Sequence, residues 1–372
     1  MTSRERFVRV LTGQPVDRVP FMKVFGGTNA VLPDWERAHP GLGQSIDAIL
    51  QFEGRYRGWD TTRVNADLSC AHTWEVVAED AETRTLRRPD GMVKLFVKSA
   101  DYHHQTIEFP VRCRADWERI KARWLDPDGP GRFPADWAAQ VALYRGRDFP
   151  LQLTHRGVYG FPRVLMGDEA LAYAFYDDPA LVHDIMDTYT DFALRLWAKM
   201  TREVDFDLIE CWEDMASKNG SMISPAMFRE FMKPNYEKIR AFANANGIPI
   251  VLVDSDGNIM ELAELMLEAG VNAMYPFEAL AGNDVDLIRD RLPGLGIIGG
   301  LRKEAMAESP AAVSAELAKA ERWIRRGRFI PGPDHFVQSH TRWEQYRAFM
   351  EGLRQVVLRT PADLSSQAVA GQ

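Results

Sequence analysis

Two rhythms of apolar and polar residues alternate along the chain. Short runs of β-branched and other apolar residues are each preceded by a longer stretch in which apolar positions recur every three or four residues. The first pattern is that of a strand buried on both faces, the second that of an amphipathic helix. Strands are predicted at 149–154 (Phe-Pro-Leu-Gln-Leu-Thr), 205–211, 248–254, 271–275, 295–299 and 328–331. Val19-Pro-Phe-Met-Lys-Val24 and a weaker Thr61-Thr-Arg-Val-Asn65 bring the number to eight. Thr2-Ser-Arg-Glu5 reads as a capping box opening a short helix that Gly13 and Pro15 end.

Eight such strands separated by helices predict a (β/α)8 TIM barrel, α/β in class, because the crossover helices cover a sheet buried on both sides. A doubly wound open sheet is the alternative. It calls for a Gly-rich phosphate turn after its first strand, where this chain offers Gly26-Gly27 after Val24. Between about 70 and 112 the texture changes: "TWEVVAED", "TRTLRRPDG" and "MVKLFVKS" surround a Pro-Asp-Gly turn at 89–91 and predict a β-meander inserted in the barrel. One barrel over 1–359 accounts for the chain, with the small, polar residues 360–372 as a flexible tail.

Composition narrows the function classes. With 372 residues, 46% of them hydrophobic, the chain can bury a large core. Its net charge is -8 with a pI near 5.6, and its basic residues are dispersed, which argues against a nucleic-acid footprint. Cys70, Cys113 and Cys211 form no CxxC or Cys/His array, so neither a disulfide framework nor a zinc finger is expected, and a reducing cytoplasm is. The opening "MTSRERFVRVL" has charges where a signal peptide is apolar, and no run reaches the roughly 18 apolar residues of a membrane span.

Candidate chemistry follows from the barrel rule that active sites gather at the C-terminal ends of the strands. The stretch "VLVDSDGNI" ends one strand in Asp254-Ser-Asp256-Gly-Asn258; the strand before it ends in Glu210 and runs into Glu213-Asp214 and Lys218. Later strands end in Tyr275-Pro-Phe-Glu278, in Gly299-Gly300-Leu-Arg302-Lys303 and in Pro331-Gly-Pro-Asp334-His335, and His155 ends an earlier one. Each group also has a plain structural reading. Glu210, Glu213 and Asp214 would then be loop acids that cap helices, Asp254 and Asp256 a turn with Asn258 capping the next helix, Glu278 a solvated loop acid, and His155 a packed core residue. Arg302 and Lys303 beside Gly299-Gly300 read as an anion site or as helix-start charges. His335 follows a rigid Pro-Gly-Pro and is the side chain poised to change charge near neutrality, while His103-His104 lie by the meander.

Taken together, "RERFVRVLTGQPVDRVP" (4–20), "GDEALAYAFYDDPALVHDIMD" (167–187), "ISPAMFREFMKPNYEKI" (223–239), "DSDGNI" (254–259) and "GGLRKEAM" (299–306) resemble the uroporphyrinogen decarboxylase superfamily, over roughly residues 3 to 355. The resemblance implies a (β/α)8 barrel with its cleft at the strand C-termini and, as a fold analogy, a homodimer. It also implies one of two chemistries. The family's decarboxylases carry Arg-Gln-Ala-Gly-Arg after the first strand to grip substrate carboxylates, where this chain has Met22-Lys-Val-Phe-Gly-Gly-Thr28 with Lys23 alone. Its cobalamin-linked methyltransferases have His-x-Cys-Gly-Asn at the position of Asp254–Asn258, and a later Cys near Pro331–His335, to bind zinc. Here acids stand in place of the thiolates, so the chain resembles a methyltransferase-like subgroup in which Asp254, Asp256 and His335 hold zinc or a harder divalent ion, or transfer protons without metal.

The first function this implies is transfer of a methyl group from a small O-, N- or S-methyl donor to a corrinoid protein or another acceptor. Asp254, Asp256 and His335 would act at the leaving heteroatom, and Glu210, Asp214 and Glu278 would position donor and protons. The corrinoid would arrive on a separate partner protein. The second is decarboxylation of a carboxylated, porphyrinogen-like or smaller substrate gripped by Arg302, Lys303 and Lys23; the third is a non-catalytic ligand-binding barrel. Asn258, Lys218 and His155 complete the candidate substrate-binding residues.

Overall fold

The computed structural model describes residues 1–24, 31–68 and 73–362, apart from the side chains of 100–103. Gly26-Gly27, Cys70, the side chain of His103 and most of the expected tail, 363–372, lie outside the described residues. Thr360 and Ala362, at the tail's start, are buried behind the helix Trp343–Arg359.

Thirteen strands are described in chain order: β1 (Asp60–Thr61), β2 (Glu75–Glu79), β3 (Thr83–Arg87), β4 (Val93–Val97), β5 (Ala100–Glu108), β6 (Leu151–His155), β7 (Leu208–Trp212), β8 (Ala216–Ser217), β9 (Gly220–Ser221), β10 (Ile250–Asp254), β11 (Ala273–Tyr275), β12 (Gly296–Leu301) and β13 (Phe329–Pro333). Seven form one parallel sheet in the order β1-β6-β7-β10-β11-β12-β13, with helices between successive strands. Every residue of β10 and β11 is buried, as their apolar runs require of a sheet covered on both faces. The predicted meander is the antiparallel sheet β2-β3-β4-β5, with the Pro-Asp-Gly turn joining β3 to β4 and Gly91 at φ +98°.

The sheet differs from the expected eight staves at one place. Residues 19–24, buried apart from Lys23, make no strand, and the stave expected at 61–65 shrinks to Asp60–Thr61. Val24 packs on β13, where a Cβ at Gly332 would come within 2.7 Å of its own, and Met22 packs on Gly58 just before β1. The segment therefore lies between the two edges of the sheet. Ladder bonds fail for a chemical reason. The Ile297 N–H bonds to the Arg328 carbonyl and the Asp334 N–H to the Leu301 carbonyl, so residues 329, 331 and 333 turn their backbone groups toward the gap. Pro331 and Pro333 have no N–H to offer there, and neither does Pro20.

Helix ends follow the sequence closely. Thr2 Oγ accepts the Glu5 N–H at 3.1 Å while Glu5 accepts the Thr2 N–H at 2.7 Å, and Gly13 ends the helix at φ +72°. The helix Pro179–Met200 starts on the Asp178 side-chain cap and buries Ile185, Tyr189, Phe192, Leu196 and Trp197 against the barrel. Among the described residues no helix is long and apolar enough to cross a membrane.

Candidate active site

Parallel register sets Thr154 beside Glu210, Glu210 beside Leu252, and Asp254 between Trp212 and Tyr275. Because side chains alternate across a strand, Gln152, Thr154, Glu210, Trp212 and Asp254 share the inner side and line a cavity of about 630 Å³ at the C-terminal ends of the strands. The chain around β1, from Tyr56 to Asp67, forms another wall, and Asp214, Asp256, His335 and Phe336 come from the loops above.

The floor is a charged network. Arg57 Nη1 donates to Tyr275 Oη at 2.7 Å and to Glu210 Oε1 at 3.2 Å, and lies 3.9 Å from Asp254 Oδ2; the Tyr275 hydroxyl donates to Glu210. Burial, with the charges of Asp254 and Glu210, pushes the Tyr275 hydroxyl far above its ordinary range, so it stays a donor. Above this floor stand three carboxylates. Asp214 and Asp256 bracket Asp254, and one ligand oxygen from each lies within 4.8 Å of the others. Burial raises the Asp254 carboxyl well above the usual range, helped by the charges of Glu210, Asp214 and Asp256, and burial together with Asp256 raises Asp214. His335 Nε2 lies 3.1 Å from Asp256 Oδ2; burial works against its charge, yet the hydrogen bond to Asp256 and the charges of Asp256 and Glu278 raise its pKa.

This cluster fits a divalent cation. A spread of 4.8 Å suits oxygens on one ion at about 2.0–2.6 Å each, and Asp254 Oδ1 is buried without a hydrogen-bond partner. No thiolate takes part among the described residues: Cys211 sits on the helix side of β7, where burial keeps its thiol protonated.

The other candidates fall into separate places. Glu278 accepts the Gly257 N–H at 2.9 Å and pairs with Lys303 at 3.5 Å, so both hold the Asp256 loop from outside the cavity. Asp334 is fully buried and accepts the backbone N–H groups of Ala279 and Lys303. Asn258 caps the next turn through the Met260 N–H at 3.2 Å, as its structural reading expects. Arg302 turns away to Glu308 and Glu316, Lys23 pairs with Asp47 at 2.9 Å, and Lys218 is exposed in the β8–β9 turn. None of these three is among the described residues lining the cavity. Gly299-Gly300 also serve packing, since the Gly300 N–H bonds to the Pro276 carbonyl and a Cβ at Gly299 would meet that oxygen at 2.5 Å.

Glu213 is an anchor. It is fully buried and accepts the N–H groups of Val158, Tyr159 and Gly160 at 2.7–2.9 Å, with the Tyr236 hydroxyl as a fourth donor. Gly157 and Gly160 permit this closeness, because a Cβ on either would strike the Trp212 carbonyl at 2.1 and 2.3 Å.

His155 borders the cavity, but its imidazole packs on Tyr189 at 4.6 Å and on Trp197 at 5.8 Å, and burial lowers its pKa to about 3. A pKa lowered by folding gives stability that is present above the unfolded value near 6.5 and is lost as pH falls toward 3. A His155→Leu variant should therefore lose about 2 kcal/mol less than the wild type between about pH 6.5 and 5. Urea unfolding at both pH values reads this, and equal acid sensitivity of the two proteins would refute it.

Sequence reasoning passed over Arg57, Tyr275, Trp212, Arg156 and Asp67. Arg156 pairs with Asp67 at 3.2 Å and covers the Trp212 ring at 5.1 Å, with Arg163 over the same ring at 5.0 Å. Tyr275 was visible as a strand end. Arg57 had a weaker signal, the paired glycines of "GRYRGWD", where Gly54 and Gly58 take φ of +82° and +110° to bend the loop inward.

Comparison with known proteins agrees with this architecture. The family described as "Uroporphyrinogen decarboxylase (URO-D)" matches residues 163–356. Among solved structures, a methyltransferase from Methanosarcina mazei superposes with a TM-score of 0.59 at 16% identity, over 96% of this chain and 98% of that one. A putative vitamin-B12 independent methionine synthase from Listeria monocytogenes gives a TM-score of 0.34 at 12% identity, over 58% of this chain and 68% of that one. A 3-keto-L-gulonate-6-phosphate decarboxylase from Vibrio cholerae gives 0.24 at 12% identity, over 60% and 90%. No curated protein sequence matches the chain. At 16% identity the likeness to the Methanosarcina mazei structure speaks to the fold alone.

Proposed function

Because the chain belongs to the uroporphyrinogen decarboxylase family, we propose that its cavity binds a small methylated compound and that the protein is a methyltransferase, moving a methyl group from an O-, N- or S-methyl donor to a corrinoid protein or another acceptor. The observation that carries this reading is the charge of the cavity. Asp60, Asp67, Glu210, Asp214, Asp254 and Asp256 face it, against Arg57 and Arg156, and both guanidiniums are already paired with carboxylates. Such a field repels a polycarboxylate substrate and draws positive charge to the strand ends. A heteroatom that surrenders a methyl group needs that positive charge. It departs with the C–X electron pair and must gain a proton or a cation.

In this reading the donor heteroatom sits at Asp254 and Asp256. Burial and the neighbouring carboxylates favour the protonated form of Asp254, which can pass that proton to the departing atom, and His335 fixes the orientation of Asp256. Asp214 closes the cluster, Glu210 with Arg57 and Tyr275 forms a rigid floor, and Glu278 with Lys303 steadies the loop that carries Asp256. A divalent cation, when bound, would supply Lewis acidity at the same heteroatom, and a corrinoid on a separate protein would accept the methyl group. Binding by Arg302, Lys303 and Lys23, on which decarboxylation was to rely, finds little support in their placement outside the cavity.

The test is a donor panel of methoxy, methylamino and methylthio compounds with reduced cobalamin, free or protein-bound. Protein-dependent methylcobalamin together with the demethylated X–H product is the expected result. Carbon dioxide release from a carboxylated compound without corrinoid would replace this reading with decarboxylation, and ligand binding without any turnover would replace it with a binding role.

A further inference from the structure

We infer that Asp214, Asp254 and Asp256 form an all-carboxylate site for one hard divalent cation of the Mg²⁺ or Mn²⁺ kind, with His335 bracing a ligand from outside instead of binding the ion. The inference goes beyond methyl transfer, since it rests on the geometry of the cluster and is read out by binding alone.

Three observations carry it. The ligand oxygens of the three residues lie within 4.8 Å of one another. Asp254, 5% exposed and lining the cavity, has a buried oxygen with no hydrogen-bond partner. A buried polar atom in that state is expected to have a ligand the protein itself does not provide.

The third observation is how the remaining oxygens are used. Asp214 Oδ2 faces Arg163 Nη2 at 3.4 Å, Asp254 Oδ2 faces Arg57 Nη1 at 3.9 Å, and Asp256 Oδ2 faces His335 Nε2 at 3.1 Å. Each carboxylate thus has one oxygen facing a basic side chain, which leaves its second oxygen available to an ion. Of these, Asp214 Oδ1 has a long contact of 3.4 Å with the Asp256 N–H. Outer partners arranged in this way orient the ligands of a metal site. Oxygen donors alone suit Mg²⁺ and Mn²⁺, which keep waters in their remaining positions and so leave room for a substrate heteroatom.

The experiment uses the full chain, stripped of metal with a chelator, titrated with Mn²⁺ and followed by calorimetry and by electron paramagnetic resonance of the free ion. One Mn²⁺ per chain, competed by Mg²⁺, is expected. Asp214→Asn, Asp254→Asn and Asp256→Asn should each weaken binding by more than about 100-fold, and His335→Ala by about 10-fold, the lower range for an outer partner. Spin-echo modulation of the wild-type complex should show no directly bound nitrogen. The last readout needs no variant, and melting curves of the metal-free variants establish that each is folded. The inference is overturned if the wild type binds no ion below about 1 mM, if Asp214→Asn binds as the wild type does, or if a nitrogen is bound directly. Methyl-transfer assays do not enter, so failure of that reaction and failure of this site are separate results.

Discussion

Asn in place of Asp254 is expected to reduce turnover by at least about 100-fold, the lower range for loss of a positioned acid or base, and to leave the metal-free fold as stable as before or more so. The residue stands between Trp212 and Tyr275 in register, with one oxygen unpartnered. Asn keeps the shape of the side chain and can neither release a proton nor neutralise a cation. Stability should move the other way. Burial and the neighbouring carboxylates raise the folded pKa of Asp254, so between the unfolded value near 3.9 and the raised one the folded protein holds a proton that the unfolded chain has released. Stability from this group accordingly falls as pH rises through that window, and Asn has no such dependence. For a chain of this size each kcal/mol recovered raises the melting temperature by roughly 2–4 °C. Turnover within tenfold of wild type, or a lower melting temperature for the metal-free variant at neutral pH, would remove Asp254 from the centre of the site.

Glu213→Ala should have the opposite signature, a loss of stability of about 3–5 kcal/mol with activity falling as a consequence. The change strands the N–H groups of Val158, Tyr159 and Gly160 and the Tyr236 hydroxyl, all of which now point at one buried carboxylate. The same turn precedes the helix Gly160–Met166, which carries Arg163 to Asp214. Loosening it therefore disturbs the acid cluster from a distance. Urea unfolding gives the magnitude, and turnover measured at a temperature where the variant is fully folded separates the two effects. A variant as stable as wild type would mean that water replaces all four bonds.

The acids that follow one strand show where legibility ends. Glu210, Glu213 and Asp214 read alike as acids after a strand, yet the structure makes the first a floor residue tied to Arg57, the second a backbone anchor and the third a neighbour of Asp254 and Asp256. Strand periodicity indicates which side Glu210 takes. Past the last ladder position that periodicity stops, and the left-handed turn at Asp214, φ +44°, sends the chain where no pattern predicts. Of the residues that sequence suggested for a metal, Asp254 and Asp256 cluster with Asp214, which sequence did not single out for that role, and His335 lies beside Asp256.

By itself the sequence determined the strands with apolar runs, the capped helices, the inserted meander and the strand ends at which chemistry would gather, because burial and hydrogen-bond periodicity are local properties of the chain. Tertiary structure alone decided three things. It replaced the eighth stave with an extended segment, since two prolines of β13 face the gap without donors. It brought Arg57 under Glu210 and Asp254 from a loop more than a hundred residues away. It also sent Arg302 and Lys23 to surface partners and left the cavity acidic. Each depends on which groups become neighbours after folding, and pairing between distant residues leaves no periodic trace in the chain.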